Sequence, residues 1–248
     1  MTALIGLREN LQLARLHLIT DLRGGKDAFV EFVDMAFGAG ADIIQVRDQG
    51  VDDATLVEAL NAASRVAFDH LGLVCVGRRA DVATQLQSDL LHLGASDGDL
   101  GDARGALHQW SLVGRSVHDE AQIRHAVDER ADWAVVGPVF GDGAPGLDLV
   151  ATAAATWPVT DEHATPWFAA GGITPDNLDG VLAAGATRIV VGRAVTTAAD
   201  PRAVLQDFDT RLRAHWRQVN GEGYAHRTLG GPERTATLNE TLDGPPEQ

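Results

Sequence analysis

The chain has 248 residues, of which 45 % are hydrophobic and 22 % are charged, and its formal net charge is −15. This length and composition are sufficient for one large core, and about 250 residues is typical of a single α/β barrel. The acidic balance argues against nucleic acid as a partner, because neutralising phosphates requires clustered Lys and Arg. The lack of an apolar run of about 18 residues argues against a membrane partner.

The amino-terminal segment and the cysteine content bear on location. Residues 1–9 lack the basic start and apolar stretch of a signal peptide, so none is expected. The single cysteine, Cys75, excludes an intramolecular disulfide and suits a reducing compartment, so a cytoplasmic location is expected. Because Cys75 lies in the apolar run Leu73–Val76, we expect it to be a small buried hydrophobe.

Short aliphatic runs alternate along the chain with longer segments that have the apolar period of an amphipathic helix. One such segment, Phe29–Phe37, lies between the first two runs, and Asp200-Pro201 has the cap and first-turn proline that begin a helix. Eight parallel strands with helical crossovers are the number that closes a TIM barrel. The strands are predicted at Leu16–Thr20, Ile43–Val46, Leu73–Val76, Leu90–Leu93, Leu112–Gly114, Trp133–Val136, Trp167–Ala170 and Ile189–Val191.

The predicted fold class is therefore α/β, a single (β/α)8 TIM barrel over residues 10–219. An open doubly wound sheet is the weaker alternative, because residues 18–25 do not match the G-x-G-x-x-G pattern. From about residue 220 onward no periodic apolar face remains, and glycine-proline clusters interrupt the segment. Residues 220–248 are predicted to form a disordered C-terminal tail.

In a TIM barrel the functional residues lie at the carboxyl ends of the strands and in the loops that follow. Gly171 and Gly172 follow the seventh predicted strand, and Gly192 and Arg193 follow the eighth. Glycines let backbone N–H groups approach an anion closely, the helix expected to begin near Pro175 adds its dipole, and Arg193 adds a charge. We expect these four residues to bind phosphate, the alternative being that the glycines only form tight turns.

Other strand ends carry groups suited to proton transfer and substrate contact. His118 follows the fifth strand and is the candidate general acid or base, because histidine as a residue type is suited to proton transfer near neutral pH. His92 alternates with leucines in the fourth strand and can face the barrel interior, with a purely structural role as the alternative. Gln45 and Arg47 alternate in the second strand and are expected to point into the barrel mouth, unless Arg47 forms a structural ion pair with an aspartate. The remaining histidines are expected at the surface.

Seven short segments at these positions together resemble the thiamine phosphate synthase/TenI family, over about residues 16–213. The resemblance implies a TIM barrel of thiamine biosynthesis whose partner is a phosphorylated thiazole, held at the expected phosphate site, with Gln45, Arg47, Arg78, His92 and Ser116 as substrate contacts. The segments are Gln45-Val46-Arg47-Asp48, Arg79-Ala80-Asp81-Val82-Ala83, Leu91-His92-Leu93-Gly94, Gly114-Arg115-Ser116-Val117-His118, Gly137-Pro138-Val139-Phe140, Gly171-Gly172-Ile173 and Ala199-Asp200-Pro201.

The synthase branch of this family joins a pyrimidine diphosphate to a thiazole phosphate, with Mg²⁺ and release of pyrophosphate. The family usually has an Asn-Asp pair where this chain has Gly77-Arg78, and a lysine where it has Gln49. A glutamine is replaced by Ala95, which leaves Asp97 as the only candidate metal ligand, and a Thr-x-Thr-Lys loop is shortened to residues 141–146. An arginine at a ligand position repels Mg²⁺, and losing two lysines removes several kcal/mol, as an order of magnitude, from stabilisation of the departing pyrophosphate.

These departures favour the TenI branch, whose thiazole tautomerases move protons on a thiazole carboxylate phosphate and need no cofactor. The resemblance makes His118 the general acid/base, so a TenI-like thiazole tautomerase is the expected function. A thiamine phosphate synthase with a divergent diphosphate site, Mg²⁺-dependent as in the family, is the first alternative, since Arg78 could itself hold pyrophosphate. A non-catalytic regulatory binder of a phosphorylated ligand is the second. The sequence leaves open whether the chain forms a homo-oligomer.

Overall fold

Eight parallel strands close into a barrel, which confirms the predicted TIM barrel. The computed structural model describes residues 6–48, 50–161 and 163–220. Six strands have the predicted bounds, whereas the third and fifth continue to Gly77 and Val117. The strands are β1 (Leu16–Thr20), β2 (Ile43–Val46), β3 (Leu73–Gly77), β4 (Leu90–Leu93), β5 (Leu112–Val117), β6 (Trp133–Val136), β7 (Trp167–Ala170) and β8 (Ile189–Val191).

Helices separate the strands and cover the outside of the barrel. The Asp200 carboxylate accepts a hydrogen bond from the Ala203 N–H at 3.0 Å, as the predicted cap requires. The described residues contain α1 (Leu7–Leu13), α2 (Lys26–Gly38), α3 (Asp53–His70), α4 (Ala80–Leu86), α5 (Leu100–Ala106), α6 (Glu120–Asp128), α7 (Leu147–Thr156), α8 (Leu178–Ala183), α9 (Arg193–Thr196) and α10 (Pro201–Asn220).

Side chains along each strand alternate between two apolar layers. Outward residues such as Leu16 and Ile44 pack beneath the helices, in one cluster with Phe29 and Val33 of α2. Cys75 faces inward and is buried as predicted, and burial raises the pKa of its thiol. The inward layer that fills the barrel consists of Ile43, Leu73, Cys75, Leu90, Leu112, Trp133, Val135, Phe168 and Val190.

Trp133 occupies the middle of the barrel opposite Gly114, its partner in the pairing of β5 with β6. A Cβ atom on Gly114 would lie 2.2 Å from the indole ring, so no larger residue can face the tryptophan. His17 of β1 packs beside Trp133 and Phe168, with ring centroids 5.5 and 5.8 Å apart. The prediction that histidines other than His92 and His118 lie at the surface is therefore wrong for His17, because strand alternation turns its side chain inward.

The imidazole of His17 is fully buried, and neither ring nitrogen has a hydrogen-bond partner among the described residues. Burial, with a further contribution from His92, lowers the pKa of His17 to about 3. His17 is therefore neutral at physiological pH and forms part of a dry interior.

Helix α1 closes the amino-terminal end of the barrel, where Leu11 and Ala14 join the interior cluster. It begins at Leu7, ahead of the predicted domain boundary at residue 10. At the other end α10 continues to Asn220, and residues 221–248 of the predicted tail lie outside the described residues. None of the described helices combines the length and apolar character needed to cross a bilayer.

Candidate active site

The loop after β7 is shaped by two glycines whose backbones lie in the left-handed region. Gly171 has φ +100° and Gly172 has φ +66°. A Cβ on Gly171 would lie 2.6 Å from Pro138 Cα, and one on Gly172 would lie 2.8 Å from Phe140 Cβ. Backbone conformation and the close approach of the β6 loop both require glycine at these two positions.

An asparagine holds this loop in place. The Asn177 side chain accepts a hydrogen bond from the Thr174 N–H and donates one to the Gly172 carbonyl, each at 2.9 Å. Pro175 consequently lies in a turn and α8 begins only at Leu178, so the prediction that a helix starts near Pro175 is wrong. Backbone amides, rather than the dipole of a following helix, are what this loop offers to an anion.

The predicted phosphate-site residues lie together at the mouth of the barrel. We call Gly171, Gly172, Gly192 and Arg193 the glycine cradle; all four line a cavity of 580 Å³. Within the described part of the chain, the backbone N–H groups of Gly172, Gly192 and Arg193 have no acceptor, and the exposed Arg193 side chain has no ion-pair partner. These groups could bind three oxygens of one phosphate.

A second cavity of 480 Å³ adjoins the first and contains the other predicted substrate contacts. Arg47, His92, Ser116 and His118 line both cavities, whereas Gln45 and Arg78 line only the second. We call this second cavity the arginine pocket, after Arg47 and Arg78. The two cavities therefore meet over β4 and β5.

Gln45, His92 and Ser116 form a hydrogen-bonded row at the base of the arginine pocket. The His92 Nδ1 lies 3.1 Å from the Gln45 Oε1, and the His92 Nε2 lies 3.0 Å from the Ser116 Oγ. Because the amide oxygen only accepts, Nδ1 carries the proton, and the Ser116 hydroxyl donates to Nε2. Gln45 is only 2 % exposed, so it lies one layer below the mouth position expected for it.

The charges around His92 are consistent with this neutral tautomer. Burial lowers the pKa of His92 to about 4; Asp97 opposes the shift, whereas Arg47, Arg78 and Arg115 reinforce it. The three arginines therefore lie close enough to disfavour the protonated form of His92.

His118 lies at the exposed end of β5, at the junction of the two cavities. Its Nδ1 contacts the Gly137 carbonyl oxygen, and its backbone N–H donates to the Gln122 Oε1 at 2.8 Å. Because a carbonyl only accepts, Nδ1 carries the proton, and in the neutral ring Nε2 keeps its lone pair. That nitrogen could accept a proton or a hydrogen bond from a substrate.

Arg47 and Arg78 have different surroundings. Arg47 is exposed and has no side-chain partner among the described residues, so the alternative of a structural ion pair is not observed. Arg78 forms an ion pair with Asp97, with Nη2 2.7 Å from Oδ1. The second Asp97 oxygen accepts from the Gly94 N–H at 2.7 Å.

The Mg²⁺ that the resemblance implies for a synthase does not fit these residues. Asp97 is the one carboxylate predicted as a ligand, and both of its oxygens already accept hydrogen bonds, one of them from a cation. Among the described residues, no group of three or more His, Cys, Asp or Glu side chains is arranged to hold a metal. Gln49, where the family usually has lysine, lies outside the described residues.

Gly77 is a further departure from the family pattern. A Cβ on Gly77, where the family usually has asparagine, would lie 2.4 Å from the Gln45 Nε2. A side chain at position 77 would therefore require the Gln45 amide to shift.

Sequence reasoning missed one residue that holds the site together, Arg115. Its guanidinium pairs with Glu129 at 2.7 Å and donates to the carbonyls of Gly94, Asp97 and Gly98 at 2.8–2.9 Å. These bonds fix the loop that carries Asp97. A signal existed, because Arg115 alternates with inward-facing Ser116, and a charge that points outward beneath the helices needs a partner.

A TIM barrel whose glycine-rich loops after the last two strands border an open cavity has the form of the phosphate-binding barrels. Comparison with known proteins narrows this class. The profile of a family described as thiamine monophosphate synthase matches residues 16–195. The chain therefore belongs to the thiamine monophosphate synthase/TenI family, as its strand-end segments predicted.

Individual relatives agree with this assignment. The chain is 44 % identical over 213 residues to the thiamine-phosphate synthase of Streptomyces avermitilis, covering 83 % of this chain and 97 % of that protein. It is 41 % identical over 221 residues to the thiamine-phosphate synthase of Mycolicibacterium smegmatis, covering 83 % and 95 %. A thiamine phosphate pyrophosphorylase from Pyrococcus furiosus superposes with a TM-score of 0.72 at 27 % identity, covering 85 % of this chain and 99 % of that one.

These relatives overturn the expected branch. Proteins that are 37 % to 44 % identical to this chain are named thiamine-phosphate synthase, so the prediction of a TenI-like tautomerase is wrong. That prediction treated replaced carboxylate and lysine positions as a lost half-site. The structure instead has a second cavity there, lined by two guanidinium groups.

Proposed function

We propose that this chain is a thiamine-phosphate synthase that joins a pyrimidine diphosphate to a thiazole phosphate. The observation that carries the proposal is the pair of adjoining cavities, one bordered by the glycine cradle and the other by Arg47 and Arg78. A reaction between two anionic substrates needs two anion sites with a common boundary. A tautomerase of one phosphorylated thiazole needs only the first.

In this proposal each half of the site takes one substrate. The glycine cradle holds the thiazole phosphate through backbone N–H groups and the Arg193 guanidinium. The arginine pocket holds the diphosphate, with Gln45, His92 and Ser116 in contact with the pyrimidine. His118 lies at the boundary, where its Nε2 can accept a hydrogen bond from either ring.

The chemistry needs no oxidant and no further co-reactant. The carbon–oxygen bond between the pyrimidine methylene group and the diphosphate breaks, and its electron pair leaves with pyrophosphate. The lone pair of the thiazole nitrogen forms the new carbon–nitrogen bond. The contribution of the protein is to align the two substrates and to stabilise the charge that develops on the leaving group.

Incubation of the full chain with both substrates tests the proposal, with thiamine phosphate detected by chromatography and pyrophosphate release measured separately. Arg193→Gln is expected to raise KM for the thiazole phosphate about tenfold or more and to leave KM for the diphosphate near that of the wild type. Arg47→Gln is expected to do the reverse. Absence of thiamine phosphate, both with MgCl2 and with EDTA, would contradict the proposal.

A further inference from the structure

Arg78 is held at the edge of the arginine pocket by contacts of its backbone and of its guanidinium group. Its backbone has φ +64°, and its N–H donates to the His92 carbonyl at 2.8 Å. Its guanidinium crosses above Gly94, where the Cζ lies 3.4 Å from the position of a Cβ, and Nη2 reaches Asp97. The cation is therefore fixed in place before any ligand arrives.

The pocket beside Arg78 has the electrostatics of an anion site. Arg47 and Arg78 line it, and no Asp or Glu side chain does so among the described residues. Asp97 does not line the pocket, and each of its carboxylate oxygens accepts one hydrogen bond, from Arg78 and from the Gly94 N–H. Burial is the largest cause of the low pKa of His92, and Arg47, Arg78 and Arg115 reinforce it, as expected for cations beside the pocket.

We propose that the arginine pocket binds a diphosphate group directly through the guanidinium groups of Arg78 and Arg47, without Mg²⁺. An arginine has five N–H donors in a planar fork, and Arg78 uses one nitrogen for Asp97, so the others can bind diphosphate oxygens. As the ester bond breaks, the electron pair moves onto the leaving oxygen, and the two guanidinium groups stabilise that charge. The organic part of the ligand rests on the proposed function, whereas diphosphate binding does not.

Calorimetric titration of the full chain with inorganic pyrophosphate tests this inference, in excess EDTA and again in MgCl2. The wild type is expected to bind at least as tightly in EDTA as in Mg²⁺, because complexation by the metal competes with the arginines. Arg78→Gln is expected to weaken binding in EDTA about ten- to a hundredfold, the loss of a charge-assisted fork. Arg78→Asp places a carboxylate beside Asp97 and is expected to bind pyrophosphate only when Mg²⁺ is present.

Arg79→Gln is the matched control. Arg79 is the adjacent arginine, but its side chain pairs with Asp53 and lines neither cavity, so pyrophosphate affinity is expected to stay within twofold of the wild type. Circular dichroism of each variant establishes that it folds, and aspartate at position 78 suits the left-handed backbone.

Binding of pyrophosphate to the wild type only in the presence of Mg²⁺ would overturn the inference, as would unchanged metal-free affinity in both Arg78 variants. A failure of the proposed function would be distinguishable, because it is measured by thiamine phosphate formation and not by pyrophosphate binding. Metal-free pyrophosphate binding without any thiamine phosphate formation would support this inference and contradict the synthase, and formation that stops in EDTA would do the opposite.

Discussion

The two halves of the site differ in the groups that form them, which are mainly backbone in one and side chains in the other. The glycine cradle consists mainly of backbone, held by glycine conformations and by Asn177, so few side-chain changes can alter it without distorting the loop. The arginine pocket consists of long side chains supported by other side chains, such as Arg78 on Asp97. A site made of backbone is retained or lost as a unit, whereas one made of side chains can exchange one way of binding an anion for another.

Replacing Arg115 should give the largest difference between the two halves of the site. Arg115→Met leaves the nearly buried Glu129 carboxylate without its guanidinium partner, with only the exposed His125 ring 3.5 Å away, and frees the loop at Gly94–Gly98, so we expect a loss of about 3 to 5 kcal/mol in the free energy of unfolding. Steady-state kinetics should show a raised KM for the diphosphate substrate and little change for the thiazole phosphate. Arg124→Met, which removes an exposed pair with Glu120, should cost about 0.5 kcal/mol or less.

If Arg115→Met raises KM equally for both substrates, the two halves of the site are coupled through the barrel. That result would contradict their separate construction.

Acidification should lower the free energy of unfolding through His17, which lies in the barrel interior beneath both halves of the site. Its folded pKa of about 3 lies below the unfolded value of 6.5, so the unfolded chain binds the proton first as the pH falls. The resulting stabilisation is fully present above pH 6.5 and is lost toward pH 3, which amounts to about 3 kcal/mol by pH 4. His17→Leu should flatten the pH dependence of urea unfolding in this window.

The control for His17 is Leu112→Met, which exchanges one apolar side chain for another in the same inward layer and changes no ionisable group. This variant should keep the wild-type slope between pH 6.5 and pH 4. An unchanged slope in His17→Leu would mean that His17 takes up its proton without unfolding.

A methyl group in the cradle should damage only the thiazole phosphate half. Gly172→Ala combines a left-handed φ of +66° with a contact of 2.8 Å to Phe140, and should cost about 2 to 3 kcal/mol of stability. It should also raise KM for the thiazole phosphate by about two orders of magnitude, because misplacing the amides removes charge-assisted hydrogen bonds.

Gly143 gives a close match for that variant. Its φ is +68° but nothing lies within 4 Å of an added Cβ, so Gly143→Ala should show only the backbone cost, about 1 kcal/mol, with KM unchanged. Equal effects in the two variants would show that strain alone, and not the close approach of the β6 loop, makes Gly172 necessary.

The smallest expected effect concerns Asn177, whose side chain holds the loop of the glycine cradle. Asn177→Ala removes the bonds to Thr174 and Gly172 and should cost about 1 kcal/mol in thermal unfolding. Affinity for the thiazole phosphate, measured by titration, should fall a few-fold, while pyrophosphate affinity is unchanged. A larger effect on pyrophosphate than on the thiazole phosphate would contradict the assignment of the halves.

The barrel and its glycine positions could be predicted from the sequence because each follows from local rules. Aliphatic runs separated by helical stripes give the strands within a few residues, and Gly171 and Gly172 stand where only glycine fits. The same rule of alternation along β1 predicts that His17 faces inward, and applying it would have avoided the wrong surface prediction.

The chemistry of the second half could not be predicted in the same way. The replacement of an acidic residue by Arg78 is visible in the sequence, but its partner Asp97 lies nineteen positions away and the support from Arg115 a further eighteen. Without those contacts an arginine at a metal position indicates loss of the site. With them, it is a fixed cation at the edge of an open cavity.

The packing of Trp133 against Gly114 limits where ligands can enter the barrel. Trp133 fills the barrel and α1 covers its far end, so the described structure leaves one entrance, at the carboxyl ends of the strands. In the proposed reaction, both substrates therefore enter and both products leave at this end of the barrel. If the proposed reaction takes place, excess pyrophosphate is expected to compete with the diphosphate substrate for the arginine pocket at this same opening.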